Sequence, residues 1–258
     1  MDAIAAKPFE LINADSRAAV VLICDHASRS VPVDLDNLGL TEEHIRRHIG
    51  WDIGAGEVTR ALARELGAPA ILAGFSRLII DPNREPCHPD SIRGLSDGIV
   101  VPGNQSVDRG EAARRARLLY HPYHQAIERA LRHAATETVP VLISVHSFTP
   151  VMDAVARPWH AALLHGDDAR LVAPVQAAFT ALYPDLTIGD NEPYTGYSHH
   201  SYSVLHHAER HGLPNITFEI RQDLIDSPAG TGLWTGILRD VLAGPLAEES
   251  LRHIWERA

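Results

Sequence analysis

The placing of short apolar runs constrains this chain most. Residues 19–24 (AVVLIC), 139–145 (VPVLISV) and 215–220 (NITFEI) are short, rich in β-branched side chains, and end abruptly at polar residues. Runs of this kind predict strands buried on both faces. Between them, apolar residues recur at helical spacing. Ile53, Val58, Leu62 and Leu66 lead to a stop at Gly67, and residues 109–136 predict a long helix that Pro122 should kink or break. Shorter strands are expected at 70–73, 78–80 and 161–164, and helices near 169–182, 203–211 and 231–256. Residues 81–108 and 190–201 read as long loops, which in a compact domain are functional or mobile. The alternation predicts an α/β fold with a mainly parallel, mixed sheet covered by helices on both faces. No repeat or linker-like segment divides the chain, so residues 1–258 are expected to form a single domain.

Composition narrows the function. The formal net charge is −10, and no Lys/Arg cluster reverses it locally, which argues against nucleic acid as a partner. Residues 1–16 carry no basic start followed by an apolar run, and no stretch reaches the roughly 18 apolar residues of a membrane helix. The two cysteines, Cys24 and Cys87, give no disulfide framework. A cytoplasmic location is the expectation. The charge is compatible with a small anionic substrate, because a few buried arginines set the local potential of a cleft.

Ligands bind outside the carboxyl ends of strands in open α/β sheets. Three strand ends carry ligand-type side chains: Asp25-His26 after the first run, His146-Ser147 after the second, and Glu219 leading to Arg221 in the third. Asp52, after Gly50-Trp51, begins the helix that follows the first strand. Two histidines and a carboxylate form a catalytic zinc shell that leaves a fourth position for water. We assign His26, Asp52 and His146 as ligands and Glu219 as the general base. Manganese, iron or cobalt would suit the same ligands. The plainer readings are that each histidine is a loop residue, Asp52 a helix cap, and Glu219 a partner of Arg221 or Arg77.

Substrate recognition is expected from Asn83 and Arg84, an amide beside a guanidinium fork that suits a carboxylate. Arg77 suits either a salt bridge or the reacting carbonyl. Arg221, Asn104, Tyr194 and Asn191 are further candidates, although the Pro and Gly around the last three suffice to make turns. The histidine pairs His121/His124, His199/His200 and His206/His207 are read as exposed or hydrogen-bonded rather than as a second metal site, with His207 a candidate for a supporting role.

The ordered segments CDHAS, GWDIGAG, SRLIIDPNR, VVPGN, YHPYH, SVHSFTP, NEPYTG and GLPNITFEIRQDLI resemble the N-formylglutamate amidohydrolase family over most of the chain. The resemblance implies hydrolysis of N-formylglutamate to formate and glutamate, a step of histidine degradation. His146-Ser147-Phe148, Asp81-Pro82-Asn83-Arg84 and the segment TFEIR are also similar to pieces of zinc carboxypeptidases. That likeness implies a phosphorylase/hydrolase-like three-layer α/β/α sandwich, with the Asn-Arg pair on a carboxylate and the Glu activating water. Carboxypeptidases place a Glu three residues after the first histidine, whereas here Arg29 stands there. The carboxylate ligand is therefore expected from Asp52, with Asp25 as the alternative. Rival readings are a metallocarboxypeptidase or amidase acting on short peptides or cell-wall fragments, and a catalytically silent carboxylate-binding protein.

Overall fold

The structure, a computed structural model, describes residues 7–197 and 201–255. The strands are β1 (Phe9–Ile12), β2 (Val20–Cys24), β3 (Ala70–Ala73), β4 (Leu95–Ser96), β5 (Ile99–Val100), β6 (Val141–Phe148), β7 (Val151–Met152), β8 (Val155–Ala156), β9 (Ala161–Leu164), β10 (Ile188–Asp190) and β11 (Asn215–Arg221), of which β2, β3, β6, β9 and β11 form where the apolar runs predict them. The α-helices are α1 (Glu42–Arg46), α2 (Ala55–Glu65), α3 (Arg109–Arg115), α4 (His121–Ala134), α5 (Val172–Leu182), α6 (Tyr202–His207) and α7 (Pro228–Ala247). One mixed sheet runs in the order β1-β3-β2-β6-β11-β9-β10. Its centre, β3-β2-β6-β11, is parallel, whereas β1 and β9 run antiparallel to β3 and β11. The remaining strands form two small hairpins, β4-β5 and β7-β8.

Alternate residues of the central strands feed two cores, as the two-residue strand period requires. Val20, Leu22 and Cys24 of β2, Val141, Ile143 and Val145 of β6, and Ile216 and Phe218 of β11 pack with α2, α5 and α7. Val21, Ile23 and Leu142 face the other way, toward Tyr123 and Ile127 of α4 and Val204 of α6. Helices thus cover both faces, and the strands between them are apolar throughout because neither face meets water.

Two expectations need correction. Residues 78–80 form no strand: Ile79 N–H closes a turn onto Ser76 O, and Leu78, Ile79 and Ile80 are apolar because the turn is buried in the second core. Pro122 does not break its helix. A single π turn, Ala116–Tyr120, joins α3 to α4, with His121 N–H bonded five residues back to Ala116 O. The wider turn makes room for the proline ring, which cannot fit the regular ladder.

Gly54 shapes the entry to α2. Its φ is +79°, and a Cβ there would lie 2.2 Å from Ile225 O. Only glycine combines that left-handed conformation with so close a backbone approach. This turn carries Asp52 back over the sheet edge, where its N–H bonds His26 O at 2.9 Å.

α4 and α6 meet through two buried histidines. His124 Nδ1 and His207 Nε2 lie 2.7 Å apart, and His124 Nε2 donates to Pro82 O. Burial lowers His124 to about 4 and His207 to about 3. Both are therefore neutral in the folded chain at pH 5, whereas in the unfolded chain they titrate near 6.5. The unfolded state binds more protons across this window, so stability is full above about 6.5 and falls as the pH drops toward 4. Each histidine should cost about 2 kcal/mol between pH 7 and 5. Urea unfolding at the two pH values checks this, and His207→Gln should remove part of the difference.

Candidate active site

β2, β6 and β11 deliver the principal side chains to one edge because they are parallel neighbours that end together. His146 on β6 is the register partner of Glu219 on β11, and His26 follows β2 directly. His26, Asp52 and His146 are all buried, and they offer ligand atoms within 4.8 Å of one another. Asp52 Oδ2 stands 2.8 Å from His146 Nδ1 and 3.3 Å from His26 Nδ1, so both imidazoles present the same nitrogen to one carboxylate oxygen.

The opposite nitrogens are held by two further buried carboxylates. Asp81 Oδ1 lies 2.8 Å from His26 Nε2, and Asp25 Oδ2 lies 3.2 Å from His146 Nε2. A carboxylate on one ring nitrogen fixes the tautomer and directs the lone pair of the other toward a metal. The donor set therefore fits a divalent ion: two oriented imidazoles and a carboxylate. Asp25 stands on the other side of the His146 ring from Asp52. Its Oδ1 accepts from Tyr123 Oη at 2.8 Å and Ser203 Oγ at 2.6 Å, which makes it an orienting group and leaves Asp52 as the carboxylate of the cluster.

Electrostatics agree with this division. Burial opposes ionisation of Asp52 and Asp25, yet the adjacent histidines outweigh it and hold both carboxyls below the usual range. Burial likewise opposes Asp81, where Arg77 dominates and keeps it ionised. His146 is the reverse case: burial disfavours its charge, but Asp25 and Asp52 raise it well above an ordinary imidazole. A metal bound there must displace that proton, as is usual for histidine ligands. Burial pushes Glu219 up to about 7, with His146 opposing and Asp52 adding. Glu219 Oε2 is buried with no hydrogen-bond partner among the described residues.

A cavity of about 220 Å³ opens over this set, below the roughly 300–1,000 Å³ common for drug-sized ligands. Its wall includes Asn83, Arg84, Arg77, Arg93, Tyr194 and Glu219. Arg84 is buried, with one Nη on Asn83 O and a buried Nε that lacks a partner among the described residues. Arg77 donates to Asp81 Oδ2 at 2.8 Å and to Asp52 Oδ1 at 3.4 Å, so it joins the outer carboxylate to the cluster. Tyr194 Oη accepts from Arg157, whose guanidinium also lies 5.1 Å from the ring centroid.

Three expected residues lie elsewhere. Arg221 does not line the cavity: two residues beyond Glu219, it donates to Asp223 at 2.8 Å and toward Trp159 O. Asn104 is a buried clamp, giving its amide to Leu78 O and Arg93 O and accepting from Arg115. Asn191 likewise serves its own turn, accepting from His165 and Gly196 N–H groups. His199 and His200 lie outside the described residues.

The sequence reading missed Arg93 and Arg157, which come from loops and hairpins of no definite pattern, and it gave Asp81 no role. A signal for Asp81 was present: an Asp that opens a loop beside two arginine-bearing segments. Asp81→Asn should weaken metal binding about 10–100-fold, since the amide keeps a contact to His26 but removes the charge behind it. Competition with a chromogenic chelator checks this, and unchanged affinity would mean that His26 does not ligate through Nδ1.

Taken as a class, this is an α/β protein with a candidate metal centre at the carboxyl edge of its sheet, facing a small cavity lined by charged side chains of both signs. The family model for N-formylglutamate amidohydrolase matches residues 18–226, and the chain belongs to that family of amidohydrolases. A gene product from Agrobacterium tumefaciens is 31% identical in its crystal structure, with a TM-score of 0.88 over 93% of this chain and 94% of that one. The N-formylglutamate amidohydrolase of Ralstonia eutropha JMP134 is 21% identical, with a TM-score of 0.64 over 93% and 96%, and supports the fold. No curated protein matches the chain. No helix among the described residues is long and apolar enough to cross a membrane.

Proposed function

We propose that this chain is a zinc-dependent amidohydrolase of N-acyl amino acids, with N-formyl-L-glutamate as its substrate and formate and L-glutamate as products. The observation that carries the reading is the pair of histidines turned by Asp81 and Asp25 toward Asp52, with the buried Glu219 carboxylate beside them on the adjacent strand. His26, Asp52 and His146 would hold the ion. Two imidazoles and one carboxylate suit zinc, which when bound supplies Lewis-acid polarisation of water and of the scissile carbonyl.

The chain's own groups do the rest. Glu219, with its carboxyl raised to about 7, takes the proton of the attacking water. It then returns that proton to the leaving nitrogen as the amide C–N bond breaks. Arg77 faces the cavity and stabilises negative charge that develops on the carbonyl oxygen. Arg84 and Asn83 bind one substrate carboxylate, and Arg93 of the same cavity wall meets a second. Two anion-binding arginines over a cavity this small favour a short dicarboxylate. The reaction would sit in the cytoplasm as a step of histidine degradation.

Release of formate and of free amino acid from N-formyl-L-glutamate, N-formyl-L-leucine, N-acetyl-L-glutamate and a short peptide tests the proposal. N-formyl-L-glutamate should exceed N-formyl-L-leucine in kcat/KM by about 100-fold or more, the value of a charge-paired carboxylate. Preference for the peptide would replace the substrate with that of a carboxypeptidase. Tight binding of N-formyl-L-glutamate without turnover in zinc-loaded protein would make the chain a binding protein.

A further inference from the structure

A second group of ligand-type side chains lies outside this site. Glu128 of α4 and His206 and His207 of α6 offer ligand atoms within 4.8 Å of one another. They line a groove of about 340 Å³ that shares no residue with the first cavity. Their spacing in the sequence gives no reason to group them; the packing of α6 against α4 does.

The hydrogen bonds around the two histidines decide which nitrogens are available. Pro82 O can only accept, so His124 Nε2 carries the proton and His124 Nδ1 the lone pair. His207 Nε2 must then donate to His124 Nδ1, across 2.7 Å. Neutral His207 is left with its lone pair on Nδ1. This is the arrangement that prepares a histidine for a metal, with the far nitrogen fixed by an outer acceptor. On His206, Nδ1 lies 3.4 Å from Tyr202 Oη and 3.5 Å from Arg210 Nη1, which can only donate, so in the metal-free chain Nδ1 accepts and Nε2 carries the proton; Nε2 can ligate once exposed Arg210 swings off Nδ1. Binding there moves the imidazole proton to Nδ1, where Tyr202 Oη can accept it. Glu128 is exposed and forms the solvent side of the set.

We propose that Glu128, His206 and His207 form a second divalent-cation site, for zinc or a neighbouring late first-row metal, distinct from the centre at His26. Two imidazoles and a carboxylate suit such ions, and the solvent side completes the coordination with water. The site also reaches the active centre mechanically. α6 carries Ser203, whose Oγ bonds Asp25 and whose N–H bonds Asn83 Oδ1. An ion on His206 and His207 therefore steadies the helix that supports both an orienting carboxylate and a substrate-side amide.

Zinc itself is the probe. The full chain, stripped with chelator, is equilibrated at micromolar free zinc, and bound ions per chain are counted by elemental analysis. Wild type should hold two ions, while His206→Ala and the exposed Glu128→Gln should each hold one and still release formate. Since Glu128 is exposed, its variant keeps the fold in any outcome. If the reading of the first centre fails instead, wild type holds one ion and His206→Ala none. Zinc content that neither variant changes, or a second ion that appears only far above micromolar zinc, overturns the proposal.

Discussion

Glu219→Gln is expected to lower kcat by about 10²–10⁴-fold, the range of a positioned general base, while zinc content and fold stay as in wild type. The amide matches the carboxylate in size, so β11 and its register with β6 are undisturbed. What it loses is the ability to take a proton. Glu219 suits that task because burial raises its carboxyl to about 7, and one of its oxygens has no other partner among the described residues. The substrate carboxylates are assigned to Asn83, Arg84 and Arg93, so KM should change little. A loss confined to kcat separates a base from a binding residue. Near-normal turnover in Glu219→Gln would remove Glu219 from the reaction.

His146→Ala is expected to empty the catalytic metal centre. The substitution takes one ligand of three, and changing even an outer-shell partner costs 10–100-fold in affinity, so a loss greater than about 100-fold is expected. It also strands Asp25, whose Oδ2 faces His146 in the core. Some stability should be lost with it, because a buried carboxylate is left short of a partner. Elemental analysis should show one ion fewer per chain than wild type, together with loss of formate release. His253→Ala changes an exposed histidine and serves as the control, with metal and activity retained. An unchanged metal count in His146→Ala would mean that the ion is held elsewhere.

Much of the site was legible because strands impose their own geometry. A buried run must end where polar residues begin, and parallel strands end along one edge. His26, His146 and Glu219 could therefore be placed together from local patterns alone, and Asp52 joined them through the turn at Gly54. The direction of each imidazole could not be read, because it depends on Asp81 and Asp25 reaching the far nitrogens across the core. Leu78, Ile79 and Ile80 carry the apolar signature of a strand but serve as a buried turn, a case in which packing overrides propensity. β1 was missed because an edge strand with an intermediate and exposed burial pattern lacks the strong signal of the central ones. Arg221 shows the opposite error: proximity in sequence to Glu219 suggested a shared role, but Asp223 captures it. The grouping of Glu128 with His206 and His207 depends on helix packing that no local pattern announces.

The most direct test follows zinc content and formate release from N-formyl-L-glutamate in the same samples of wild-type protein, as zinc is withdrawn by chelator and then restored. The account predicts that turnover disappears with the metal and returns as the centre at His26, Asp52 and His146 refills. Full turnover in protein that holds no metal would contradict it.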